Sequence, residues 1–178
     1  IAPENKDSEF TWKDYQSRVN NELVAIFGNF VNRALVLANK YYEGVIPERG
    51  DFTELDESII TQLKEFKPKI EKNIEAYRFR DALSDAVNLA RLGNKYLADT
   101  EPWKLIKTDP ERVKTIMNLA LQISANLTIA FELFLPFTTQ KLRTMLVIDN
   151  LDWNELGSIE LLKVGHKIKQ AELLFQKI

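Results

Sequence analysis

Apolar residues recur at spacings of three and four along almost the whole chain, and no segment alternates with a period of two. That pattern calls for helices that each bury one stripe against one another. From Trp12 the stripe runs Val19, Leu23, Ile26, Phe27, Phe30, Ala34, Leu37, Tyr41. It predicts one long helix from Trp12 to Tyr42, with Thr11 as cap, Asp14 in a capping-box position, and Gly44 and Pro47 as terminators. A second helix is expected from Asp56 to Glu75 over Ile59, Ile60, Leu63, Phe66, Ile70 and Ile74, with Pro68 kinking or splitting it. A third, Phe79 to Leu97, presents Ala82, Ala86, Ala90 and Gly93, small enough for a neighbour to approach closely. Asp109 and Pro110 open a fourth helix reaching Leu135, whose second half is apolar nearly all round and therefore central. Thr138 to Val147 reads as a fifth, followed by a tail from Asn150 to Ile178 with an amphipathic stretch at Ile168, Ala171, Leu174 and Phe175. The expected fold is all-α, a bundle of about five helices with a C-terminal segment wrapped around it.

The residues that most catalysts depend on are scarce. The 178 residues contain no cysteine and a single histidine, His166. This leaves no thiolate nucleophile and no paired Glu-x-x-His motif for a di-iron bundle. The six glycines form neither G-x-G-x-x-G nor G-x-x-x-x-G-K. No catalytic or metal-binding residue is therefore assigned. A net charge of −2 excludes bulk, sequence-independent binding of nucleic acid but permits a local basic face. No apolar run approaches the roughly 18 to 20 residues of a membrane span, so no membrane association is expected. The opening Ile1, in place of Met, is what an excised or processed chain would show.

Two segments carry polar residues that a bland bundle does not need. In Asn29-Phe30-Val31-Asn32-Arg33, Asn29 and Arg33 lie one turn apart, about 40° from each other around the helix. An amide and a guanidinium so placed can bond the edge of an exposed base, or can simply be solvated. In Glu101-Pro102-Trp103-Lys104, Trp103 falls in a break between helices, where an indole serves as a core plug or as a platform for an unstacked base. Lys104 and Lys107 beside it are candidate phosphate contacts. Trp12 reads as a staple or domain-contact residue, Trp153 as a pin for the tail, His166 as a local turn bond, and Lys64, Lys67, Lys69 and Lys72 as a solvated face.

Together, Asn29 to Arg33 and Asn94-Lys95-Tyr96 with Glu101 to Lys104 resemble the anticodon-binding domain of methionyl-tRNA synthetase, a class I aminoacyl-tRNA synthetase. Phe10 to Asp14, the Leu135-Pro136-Phe137 bend, Gly165-His166 and Leu174-Phe175 fit the same pattern. The resemblance implies a module that grips the anticodon loop of methionine and initiator tRNAs and reads CAU through Asn29, Arg33 and Trp103. It implies a catalytic domain in the same polypeptide, where ATP and zinc would bind, and a cytoplasmic location. The HIGH and KMSKS signatures of methionine activation are absent from this sequence. Residues 1–10 are expected to end a preceding linker region, and 11–178 to form the helical domain. The alternative without the resemblance is a helical protein–protein adaptor.

Overall fold

Thr11 caps the first helix, its Oγ1 accepting the Asp14 N–H at 3.1 Å. The Asp14 carboxylate does not complete a capping box; it accepts from Arg18 Nε at 3.0 Å instead. The computed structural model describes residues 9–178, so most of the expected linker at 1–10 lies outside the described residues. The first helical rod has three parts: α1 (Trp12–Arg18), a π-helical segment (Val19–Gly28) and α2 (Asn29–Tyr42). The apolar spacing predicts uninterrupted α-helix, and the π segment departs from it. Its wider turns re-aim the side chains that follow, and such segments concentrate at functional sites. The C-terminal tail lies against its end, where a Cβ on Gly28 would stand 3.2 Å from Phe175.

Next come α3 (Glu54–Glu75), α4 (Phe79–Thr100), the single turn α5 (Pro102–Leu105), α6 (Pro110–Ala130) and α7 (Pro136–Leu146). The architecture is all-α with five principal helical rods, as expected. α3 begins two residues earlier than the stripe suggests, because Thr53 and Asp56 form a complete capping box. Pro68 does not split α3. It lies on the exposed face, while Ile59, Ile60, Leu63, Phe66 and Ile70 hold both halves to the core. Asp109 caps α6 by accepting the Arg112 N–H at 3.0 Å. α6 is central: it packs on α2, α4, α5 and α7, and it is buried from Thr115 to Ala130.

The tail wraps the bundle without forming the helix that its amphipathic spacing would permit. Three amides on α6 explain how irregular backbone stays buried. Asn118 Nδ2 donates to the Pro47 carbonyl at 2.8 Å. Gln122 bonds both the N–H and the carbonyl of Leu162. Asn126 takes the Gly157 N–H at 2.7 Å and donates to the Ser158 carbonyl at 2.8 Å. Trp153 pins the tail to α3 through a 2.7 Å bond from Nε1 to Glu71. The His166 N–H makes the expected local turn bond, to the Lys163 carbonyl at 3.0 Å, while its ring reaches further. Its Nε2 lies 2.7 Å from the carbonyl oxygen of Leu146, so it docks the tail on the end of α7.

Candidate nucleic-acid interface

The packing at one bare position sets the site. At Gly93 a Cβ would fall 2.4 to 2.7 Å from the ring of Phe30, which is fully buried. Glycine thus lets the α2 ring press into the α4 backbone, which is the close approach predicted for the small-residue face. The residues that follow Gly93 and precede Phe30 meet as a consequence. Asn29 Nδ2 donates to Asn94 Oδ1 at 3.2 Å. Asn94 Nδ2 donates in turn to the carbonyls of Ile26, at 2.9 Å, and Ala90. Asn94, which the sequence offers only as part of a motif, fixes the Asn29 amide. The signal for it was its place beside Gly93.

Gly93→Ala should lower folding stability by roughly 1–2 kcal/mol, because overpacking against a buried ring outweighs alanine's gain in helix propensity. Chemical denaturation of the variant checks this, and unchanged or raised stability would contradict it.

One turn after Asn29, the Arg33 guanidinium lies over the indole of Trp103, 4.8 Å from the ring centroid. Arg33 makes no hydrogen bond or ion pair among the described residues, so its donors are directed to no fixed partner. Trp103 does not sit in a loop. α4 ends at Glu101 in the left-handed region, φ 41°, and α5 starts with Pro102 in its first turn. Trp103 is half-buried, one part of the ring packed on the core and the rest at the surface. Asn29 is exposed, and its carboxamide oxygen accepts no hydrogen bond among the described residues. Lys104 and Lys107 are both exposed. Lys104 pairs with Glu101 at 2.7 Å, whereas Lys107 has no ion pair among the described residues.

The structure therefore brings Arg33 and Trp103 into contact, sets Asn29 one turn away on the same rod, and places the two lysines just beyond the indole. Together they offer a π surface, unused guanidinium donors and an unused amide acceptor on open surface.

A family model described as the anticodon binding domain of methionyl tRNA ligase matches residues 46–178. The chain belongs to that family. A second model, tRNA synthetases class I (M), matches residues 1–35. Asn29 and Arg33 fall in the second match, and Trp103, Lys104 and Lys107 in the first. The methionine–tRNA ligases of Cytophaga hutchinsonii and Bacteroides fragilis are 61% and 58% identical over 177 residues, 99% of this chain and 26% of theirs. The chain thus spans about a quarter of the length of the curated relatives it matches. The apo methionyl-tRNA synthetase of Mycobacterium tuberculosis shares the fold, with a TM-score of 0.81 at 18% identity over 95% of this chain and 35% of that one. The same enzyme bound to methionyl-adenylate aligns with a TM-score of 0.80 at 19% identity over 93% of this chain and 33% of that one. The sequence resemblance and the all-α expectation thus hold for this chain.

Proposed function

We propose that this chain is the anticodon-reading module of a methionyl-tRNA ligase, gripping the anticodon loop of methionine and initiator tRNAs and recognising CAU. The contact of Arg33 with Trp103, one turn from Asn29, is the observation that carries this reading. Sequence-specific readers of single-stranded RNA splay bases out, stack them on aromatic rings and bond their Watson–Crick edges. Cytosine offers an amino donor beside ring and carbonyl acceptors. The Asn29 oxygen complements the donor, and the Arg33 N–H groups complement the acceptors. Uracil reverses part of that pattern and leaves partners unmatched.

In this reading the ligation of methionine to tRNA, with its ATP, belongs to a catalytic domain of the same polypeptide acting in the cytoplasm. Among the described residues no three His, Cys, Asp or Glu side chains are grouped to hold a metal. No helix among the described residues is long and apolar enough to cross a membrane.

The test is a titration with a CAU stem-loop and with one altered at its first anticodon base, at two salt concentrations. Tighter binding of CAU, weakening as salt rises, is expected. Equal affinity for the two loops, or the salt-independent behaviour expected of a protein–protein adaptor, would overturn the reading. Lys107→Ala should weaken both loops about equally and reduce the salt slope by about 1. Lys104→Ala should do less, because Glu101 already neutralises that ammonium.

A further inference from the structure

The last residues of the tail cross from α7 to the first helical rod, and Phe175 packs there on the two residues before Asn29. On the α7 side, the Lys169 N–H donates to the Met145 carbonyl at 2.8 Å and Lys141 Nζ to the Leu173 carbonyl at 2.9 Å. On the other side Ile178 is held by three hydrogen bonds. Gln16 Nε2 and Asn20 Nδ2 donate to the Ile178 carbonyl at 2.7 and 2.8 Å, and the Ile178 N–H donates to Asn20 Oδ1 at 3.1 Å. Between these anchors Phe175 meets Phe27 edge-on, with ring centroids 5.5 Å apart. Phe27 is fully buried and stacks at 4.3 Å on Phe131, the residue that caps the end of α6. A Cβ on Gly28 would lie 3.2 Å from Phe175 and equally close to the Leu23 carbonyl, so the Phe175 ring occupies the space that glycine leaves at the end of the π segment.

We infer that the tail is a strap and that Phe175 is a positioning residue for anticodon recognition, setting the angle at which α2 presents Asn29 and Arg33. This rests on the reading given above. Phe175 reaches no base itself. It seats on Phe27 and Gly28, the two residues before Asn29, where wide π turns give way to α turns. A π segment holds its register only under tertiary restraint, since regular α turns compete with it. The strap supplies that restraint from outside and α6 supplies it from inside. With the ring gone, the end of the π segment loses one of its two aromatic neighbours, and Asn29 turns relative to Trp103. That displacement harms discrimination more than grip, because base-edge bonds depend on angle while phosphate contacts do not.

The experiment uses the whole 178-residue chain, with CAU and first-base-altered stem-loops titrated well below the melting midpoint of each variant. Phe175→Ala should weaken CAU binding roughly three- to thirtyfold, the scale of coupling through residues that touch no ligand, and shrink the preference for CAU. Phe175→Leu should restore most of both. Asn20→Ala, at a partly exposed position, releases Ile178 without opening the core and should shift the preference the same way by a smaller factor. A purely structural Phe175 would lower the melting midpoint and leave the CAU preference of the folded protein at the wild-type value. That outcome overturns the inference. Should Phe175→Ala fail to fold, Asn20→Ala decides: a reduced preference supports the strap, and an unchanged one overturns it. Absence of any CAU preference in the wild-type chain would instead bring down the underlying reading, and the strap with it.

Discussion

Asp56→Ala should cost about 3–5 kcal/mol of folding stability, the loss typical when one member of a buried ion pair is removed. Asp56 is fully buried where α3, α4 and α6 meet. Its carboxylate accepts the Tyr96 hydroxyl at 2.6 Å, Arg112 Nη2 at 2.8 Å and the Thr53 N–H at 2.8 Å. Arg112 Nη1 stands 2.7 Å away as an ion pair, though it is not aligned for a hydrogen bond. Alanine removes the α3 capping box, strands the hydroxyl of a fully buried tyrosine, and leaves a guanidinium in a low-dielectric site without its counter-charge. Asp56→Asn keeps the shape and part of the bonding, and should cost less.

Acid should reproduce part of this loss. Burial pushes the Asp56 pKa up, but the bonds from Arg112, Tyr96 and Thr53 outweigh it and hold the carboxyl below its ordinary value. A depressed folded pKa contributes stability that is fully present above the unfolded value of about 4 and is lost as pH falls through the folded one. Glu132, lowered chiefly by Arg143, acts in the same window. Urea midpoints should therefore be level above about pH 5 and fall below about pH 4. Asp56→Asn should flatten that acid limb without abolishing it. An acid limb identical to wild type would show that the network carries no charge-dependent stability.

The helices were legible because their stripes are long and their caps are local. Thr11, Asp109 with Pro110, and the Ala82–Gly93 face needed only the residues around them. What escaped was held by distant partners. Asp56 reads as an ordinary first-turn acid, and only the arrival of Tyr96 and Arg112 from 40 and 56 residues away makes it a hub. Asn118, Gln122 and Asn126 recur every four residues on a helix of which only the second half reads as apolar nearly all round. The polar stripe is plain in the sequence, but its meaning depends on distant irregular segments, the loop at Pro47 for Asn118 and the tail for Gln122 and Asn126. The π segment has no signature in apolar spacing at all, since Phe27 and Phe30 fit either register. At the site, spacing alone leaves Asn29 with Arg33 and Trp103 as separate candidates, and only the resemblance joins the three. The contact between two of them and the amide relay through Asn94 come from a close approach that Gly93 permits.

That contact changes what the most informative substitution should do. Trp103→Ala should raise the Kd for a CAU stem-loop about tenfold to a hundredfold, the 1–3 kcal/mol typical of one base stacked on an aromatic ring. Arg33→Ala should cost a similar factor, because a base acceptor loses a charged donor. Were the two side chains independent, the factors would multiply in the double variant. Instead the Arg33 guanidinium rests on the indole, and a cation over an aromatic face is worth about 0.5–1 kcal/mol at exposed sites. Removing the ring therefore releases Arg33 as well, so each single variant already includes part of the other's loss. The double variant should fall short of the product by roughly two- to fivefold, a shortfall that a double-mutant cycle measures directly. Trp103→Phe keeps a π face and should retain most of the affinity. If Trp103→Ala weakens CAU and altered loops by the same factor, the ring provides grip while Asn29 and Arg33 provide discrimination. If neither affinity moves while circular dichroism stays helical, the indole is only a core plug, and the site must be sought away from α5.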